Sequence, residues 1–198
     1  MASTSTVRAS PHFRHYILAE DMETGLREMQ GLTREDTRGG LTPNELNLCA
    51  QNGIAWIAVA GKVSNIFDLT HSKVLKEFAG IISTFKLSKV VRDAEKNLTA
   101  VPLRLLENAD DLYDSFMVEN WRHHPSVMNT PANSQLFGHL LSLAGFEGIV
   151  FSSTRTGKRN LALFTRQFVN SSSQVSVLTP PARARCCELN AQTYAELE

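Results

Sequence analysis

The hydrophobic and polar positions of this chain change period several times between its ends. "HYILA" reads as a short strand. The next stretch, "DMETGLREMQ", turns to helical spacing, with Asp21 as N-cap, Thr24 after it and the pair Leu26 and Met29 following. "GIAWIAVAGKVSNIFDLT" supplies two strand-like runs, 54–60 and 63–69, with Gly61 as the break between them. "HSKVLKEFAGIIS" is helical again. From about 86 to 130 the pattern is polar and weakly periodic, with "NADDLYDSFMVENWRHH" as a helix and "HPSVMNTPANS" as a loop through its two prolines. "NSQLFGHLLSLAGF" puts Leu136, Leu140, Leu141 and Leu143 on or near one helical face, capped by Asn133 or Ser134 and stopped at Gly145. "GFEGIVFSSTRTGKRNLALF" closes the pattern as strand, loop, strand. This mixture predicts an α+β fold. Beyond Phe168, "VNSSSQVSVLTPPARAR" is rich in Ser and Pro, so a domain over 1–170 with a peripheral tail over 171–198 is expected.

Length and composition narrow the class. The 198 residues, 42% of them hydrophobic, suffice for one substantial core. Lys plus Arg equals Asp plus Glu at 20 each, so no global field points to nucleic acid or to an anionic membrane. The N-terminus has no apolar run of signal-peptide length and no stretch is long enough to span a bilayer, so a cytoplasmic protein is expected. Cys49 stands alone and Cys186 and Cys187 are adjacent, without further ligands at metal spacing. His123 and His124 beside Trp121 point apart on either regular element. No metal site is expected.

The loop of the last strand pair is where chemistry concentrates. Ser152, Ser153, Thr154 and Thr156 and the amides around Gly157 are short donors, and Arg155, Lys158 and Arg159 add positive charge. Such a loop suits a phosphate or diphosphate. It equally suits an ordinary solvated hairpin with charged gatekeepers. It lacks the glycine spacing of a Walker loop or a dinucleotide fingerprint.

Two regions carry a resemblance. Gln135, the turn glycines Gly145 and Gly148, Phe151, Ser153, Arg155, Asn160 and Phe164 follow the order of a glutamine-bearing helix, a Gly-x-x-Gly turn, a strand ending in Ser, an Arg and an "RNL.LF" strand. "RASP" at Arg8 to Pro11, "YILAEDMETGLRE" with Glu28, and "IAVAGKVSNIFDLT" ending at Asp68 and Leu69 precede them. Together these resemble the RES domain family.

That resemblance implies a fold similar to ADP-ribosyltransferases, a mixed sheet core with flanking helices, and NAD+ as substrate. It implies a toxin of a toxin–antitoxin pair that consumes NAD+ by hydrolysis or phosphorolysis of the nicotinamide bond. The alternatives are a protein ADP-ribosyltransferase and a catalytically silent NAD-binding module. By the same resemblance Glu28 is the catalytic carboxylate, able to stabilise a developing oxocarbenium ion. Arg8 would hold the diphosphate, with Arg155 as a second contact. Ser153 would bind the ribose or a phosphate, and Tyr16, Gln135 and Asn160 complete the NAD+ contacts. A cognate antitoxin protein is the implied partner, and a homodimer is left open. Two features depart from the family pattern. The usual strand tyrosine falls on Ile17, with Tyr16 one place earlier, and only seven residues precede Arg8, where many members carry an earlier strand with an arginine and a tyrosine.

Overall fold

The fold is that of a computed structural model and is described for residues 16–31, 56–86, 88–89, 93, 106–118, 131–180, 182 and 186–197. Arg8, Cys49, Trp121, His123 and His124 lie outside the described residues. The chain forms two compact units, 1–70 with 119–198, and 71–118. In the second unit a 3₁₀ turn over Ser72–Leu75 leads into helix α2 over Lys76–Ile82, and helix α3 covers Ala109–Phe116. Among its described residues Leu75, Ala79, Leu112 and Phe116 are the buried apolar ones. Asn108 caps α3, its Oδ1 accepting from the amides of Asp110 at 3.0 Å and Asp111 at 2.9 Å.

The first unit is built on two sheets. Strands β1 (Tyr16–Ala19), β3 (Ile66–Leu69), β4 (Gly148–Ser152) and β5 (Arg159–Leu163) form a mixed sheet in the order β1-β5-β4-β3, parallel only between β3 and β4. Strands β2 (Val59–Lys62), β6 (Gln174–Val177) and β7 (Glu188–Leu189) form an antiparallel sheet in the order β2-β6-β7. Helices α1 (Met22–Gln30) and α4 (Asn133–Leu143) complete the α+β fold. Side chains alternate across each strand, so the residues aligned with Asn160 and Ala162 share one face of the mixed sheet. These are Ala19 and Ile17 on β1 and Phe151 and Ile149 on β4. On that face Phe67 meets Phe137 of α4 edge to face at 5.6 Å. On the opposite face Leu163 packs with Phe168 and Leu189, joined by Leu18, Leu161, Val175 and Tyr194. Each of the three fully or almost fully buried members contributes about 1.5–3 kcal/mol of hydrophobic stabilisation.

Four expectations change here. Gly61 does not break a strand but lies inside β2. A Cβ there would sit 2.2 Å from the Gln174 carbonyl oxygen and 2.7 Å from Val175 Cα, so the residue is glycine because β6 approaches too closely for any side chain. Residues 171–198 are not a peripheral tail: they provide β6 and β7, and Leu189 is buried against the mixed sheet. In α4, Phe137 and Leu141 are buried, whereas Leu136, Leu140 and Leu143 are 48%, 50% and 71% exposed. The helix is apolar on most sides, and the ring contact with Phe67 selects the buried one. Its N-cap is Ala132 rather than Asn133 or Ser134, and the Gln135 carboxamide satisfies the cap by accepting from Ala132 N at 2.9 Å. Gly145 stops α4 as expected, with φ of 86° and the Phe146 amide bonded back to Leu141 O at 3.1 Å.

A buried carboxylate ties the sheets together. Glu147, just before β4, accepts from the amides of Ser64 at 3.1 Å and Asn65 at 3.3 Å, between β2 and β3, and from the Ser173 hydroxyl, just before β6. Burial alone would raise its pKa. Hydrogen bonds from the Ser171 and Ser173 hydroxyls and from the two amides outweigh that and hold it below the usual carboxylate range.

Candidate active site

Helix α1 begins where Asp21 Oδ1 accepts from Thr24 N at 2.9 Å and ends at Gly31, whose φ is 69°. It presents Glu28 to the β4–β5 hairpin. Glu28 Oε1 accepts from the Ser153 hydroxyl at 2.6 Å and from Asn160 Nδ2 at 3.2 Å. Ser153 and Asn160 are themselves buried, at 3% and 1% exposure, so the carboxylate is fixed by two groups that cannot readily move. One helical turn earlier, the Thr24 and Thr156 hydroxyls lie 3.0 Å apart. Asn160 Oδ1 is buried and has no hydrogen-bond partner among the described residues.

The serine-rich loop spends its donors on itself. Ser153 Oγ accepts from the amides of Arg155 at 3.1 Å and Thr156 at 3.2 Å, Ser153 O from Gly157 N at 2.9 Å, and Thr156 Oγ1 from Lys158 N at 3.3 Å. Gly157, with φ of 73°, provides the left-handed residue that closes the turn. The charges of the loop are also engaged. Lys158 Nζ pairs with Asp21 Oδ2, and Arg159 bonds Glu20 through its amide at 3.0 Å and through Nε at 3.3 Å. Burial would raise the pKa of Asp21, but the bonds from Lys158 and from Thr24 N hold it down to about 2. Glu20 is lowered as well, chiefly by the Arg159 amide. The loop is therefore the counterpart of the β1–α1 corner, with the amides of Arg155, Thr156, Gly157 and Lys158 engaged within its own turn.

The expected site residues separate into groups. Glu28, Ser153 and Asn160 come together. Arg155 lies in the same loop, with its amide on Ser153 Oγ. Gln135 caps α4. Tyr16 is aligned with Leu163, so it lies on the face opposite Asn160 and Glu28, while Ile17 takes the Glu28 face. The one-residue offset visible in the sequence thus reverses the side on which the aromatic ring stands. Two side-chain contacts of α1 escaped the sequence reading. Thr24 is buried because Thr156 reaches it from more than a hundred residues away, a contact without local signal. Arg27 is 3% exposed and bonds Glu23 at 3.1 Å, an i,i+4 pair that sequence spacing could have flagged. A cavity of about 270 Å³ borders the site through Asn160, lined by Leu18, Val59, Val150 and Leu161 with Ala19, Glu20, Arg159 and Asn160. It includes neither Glu28 nor Ser153 and falls below the roughly 300–1,000 Å³ that drug-sized ligands occupy.

The family model of the RES domain matches residues 72–183 of the 198-residue chain. The chain belongs to the RES domain family. No curated protein and no solved structure matches it. The RES match includes Gln135, Ser153, Arg155 and Asn160, whereas Arg8, Tyr16 and Glu28 precede it. The hydrogen bonds from Ser153 and Asn160 join Glu28 to that matched segment. Among the described residues no helix is long and apolar enough to cross a membrane.

Proposed function

We propose that this RES-family protein consumes NAD+ by cleaving the bond between nicotinamide and ribose, with Glu28 as the catalytic carboxylate. The observation that carries the reading is the double hydrogen bond to Glu28 Oε1 from Ser153 and Asn160. Nicotinamide departs with the bonding electron pair, positive charge builds on the ribose, and a carboxylate held in a fixed position stabilises it without reorganising. Water or phosphate then bonds to the anomeric carbon and gives up its proton. Ser153 holds Glu28 and does not itself grip substrate, because its hydroxyl donates once and accepts twice already. Asn160 contributes an amide donor to the carboxylate. Arg8 is retained as the group for the diphosphate, since the amides of Arg155, Thr156, Gly157 and Lys158 are engaged within the loop.

A module that binds NAD+ without turning it over is the second reading, favoured by the inward-facing loop donors and by Tyr16 on the far side of the sheet. Transfer of ADP-ribose to a protein differs only in the acceptor. Incubation with NAD+ and resolution of the products separates the three: nicotinamide with ADP-ribose or its phosphate, nicotinamide with a mass shift on a protein, or no nicotinamide. The reading includes a cognate antitoxin protein, whose co-expression would relieve growth arrest caused by this chain but not by its Glu28→Gln variant.

A further inference from the structure

We infer that the indole of Trp56 is the platform on which the nicotinamide ring of NAD+ lies, a step that rests on Glu28 being the catalytic carboxylate. Gly25 precedes Glu28 by three residues on α1, so the two are neighbours on the helix surface. A Cβ placed on Gly25 would come 2.8 Å from Trp56 Cζ3, 3.4 Å from its Cη2 and 3.4 Å from Ala19 Cβ. The benzene edge of the indole therefore occupies a notch that exists only because residue 25 is glycine. Ala19 is aligned with Asn160, which puts this notch on the face of the sheet that carries the partners of Glu28. Trp56 nevertheless stays 41% exposed. Its edge is anchored while much of its surface faces outward, and a glycine inside a helix is a costly way to seat a ring that does nothing but cover a surface.

The chemistry of the substrate fits that surface. The nicotinamide ring of NAD+ is a flat cation, and indole is the strongest aromatic partner for a cation. The departing nicotinamide is neutral, so this attraction is present in the bound substrate and fades as the bond breaks. Removing the ring should then weaken binding more than it slows chemistry.

The test uses the full chain with Trp121→Phe, which leaves Trp56 as the one remaining tryptophan of two. Nicotinamide mononucleotide is expected to quench its emission saturably, with AMP giving about a tenth of the effect or less under the same conditions. Trp56→Ala should raise KM for NAD+ about tenfold, with kcat changed less than about threefold, and Trp56→Phe should recover part of the loss. Gly25→Ala, which displaces the indole and improves helix propensity, should raise KM in the same direction with helical content retained, and it decides the matter should Trp56→Ala not fold. Emission unmoved by the mononucleotide, emission moved by AMP alone, or an unchanged KM in Gly25→Ala overturns the inference. Its failure is separable from failure of the catalytic reading. A wild-type protein that consumes NAD+ without mononucleotide quenching sinks the platform alone. One that is quenched yet leaves NAD+ intact keeps the platform and sinks catalysis.

Discussion

Ser153 Oγ has one proton and two lone pairs, and Glu28, Arg155 N and Thr156 N take all three. The resemblance to the RES family implied that this serine is a ligand contact. In the proposed mechanism those bonds make it a positioning residue. Ser153→Ala leaves two loop amides and one face of the carboxylate without their partner. Unfolding in urea is expected to show a loss of about 1–3 kcal/mol. In the same variant kcat for NAD+ should fall more than KM rises, with Ser153→Thr restoring much of both; a purely structural serine would lower stability and leave kcat per folded molecule unchanged. Asp21 was legible because an N-cap is a local device read from neighbours three residues apart. The hydroxyl contact of Thr24 was not, since its partner is Thr156.

At the scale of elements, the strand within 63–69, the start of α1 and the stop of α4 followed from local patterns, whereas the run 54–60 gave way to a strand at Val59–Lys62. Gly61 was misjudged for an instructive reason. A glycine between apolar runs signals either a break or a close approach, and only the neighbouring strand distinguishes them. Here the neighbour is β6, supplied by the region whose Ser and Pro content suggested a tail. Gly61→Ala would push a methyl group into the Gln174 carbonyl and separate β2 from β6. A loss of about 1–3 kcal/mol in urea unfolding is expected, as for other overpacked sites; unchanged stability would contradict the register between these strands. The exposed side of α4 was equally beyond the pattern, because Leu136 and Leu140 have the same spacing as Phe137 and Leu141.

For the molecule as a whole, balanced charge gave no direction toward a partner, and the engaged carboxylates instead set its response to acid. Asp21 ordinarily titrates near 3.8 and is held down to about 2 in the fold. The native state therefore binds fewer protons than the unfolded chain between these values. The stabilisation Asp21 provides is fully present above about 3.8 and is lost as pH falls through about 2. Glu147 is lowered too and acts with the same sign. Urea midpoints measured from pH 5 down to pH 2 should fall for the wild type and fall less steeply for Asp21→Asn. A slope that Asp21→Asn leaves unaltered would mean that the Lys158 and Thr24 contacts do not persist in solution.

The most direct test of the central claim is the loss of NAD+ on incubation with purified protein, with nicotinamide followed as product and Glu28→Gln run alongside. Gln keeps the size of Glu and can still accept from Ser153 and Asn160, so the variant should fold with a melting temperature close to wild type. Release of nicotinamide by the wild type, reduced by about a hundredfold or more in Glu28→Gln, is the predicted result. Equal turnover by the two proteins, or none by either, would contradict Glu28 as the catalytic group of an NAD+-consuming enzyme.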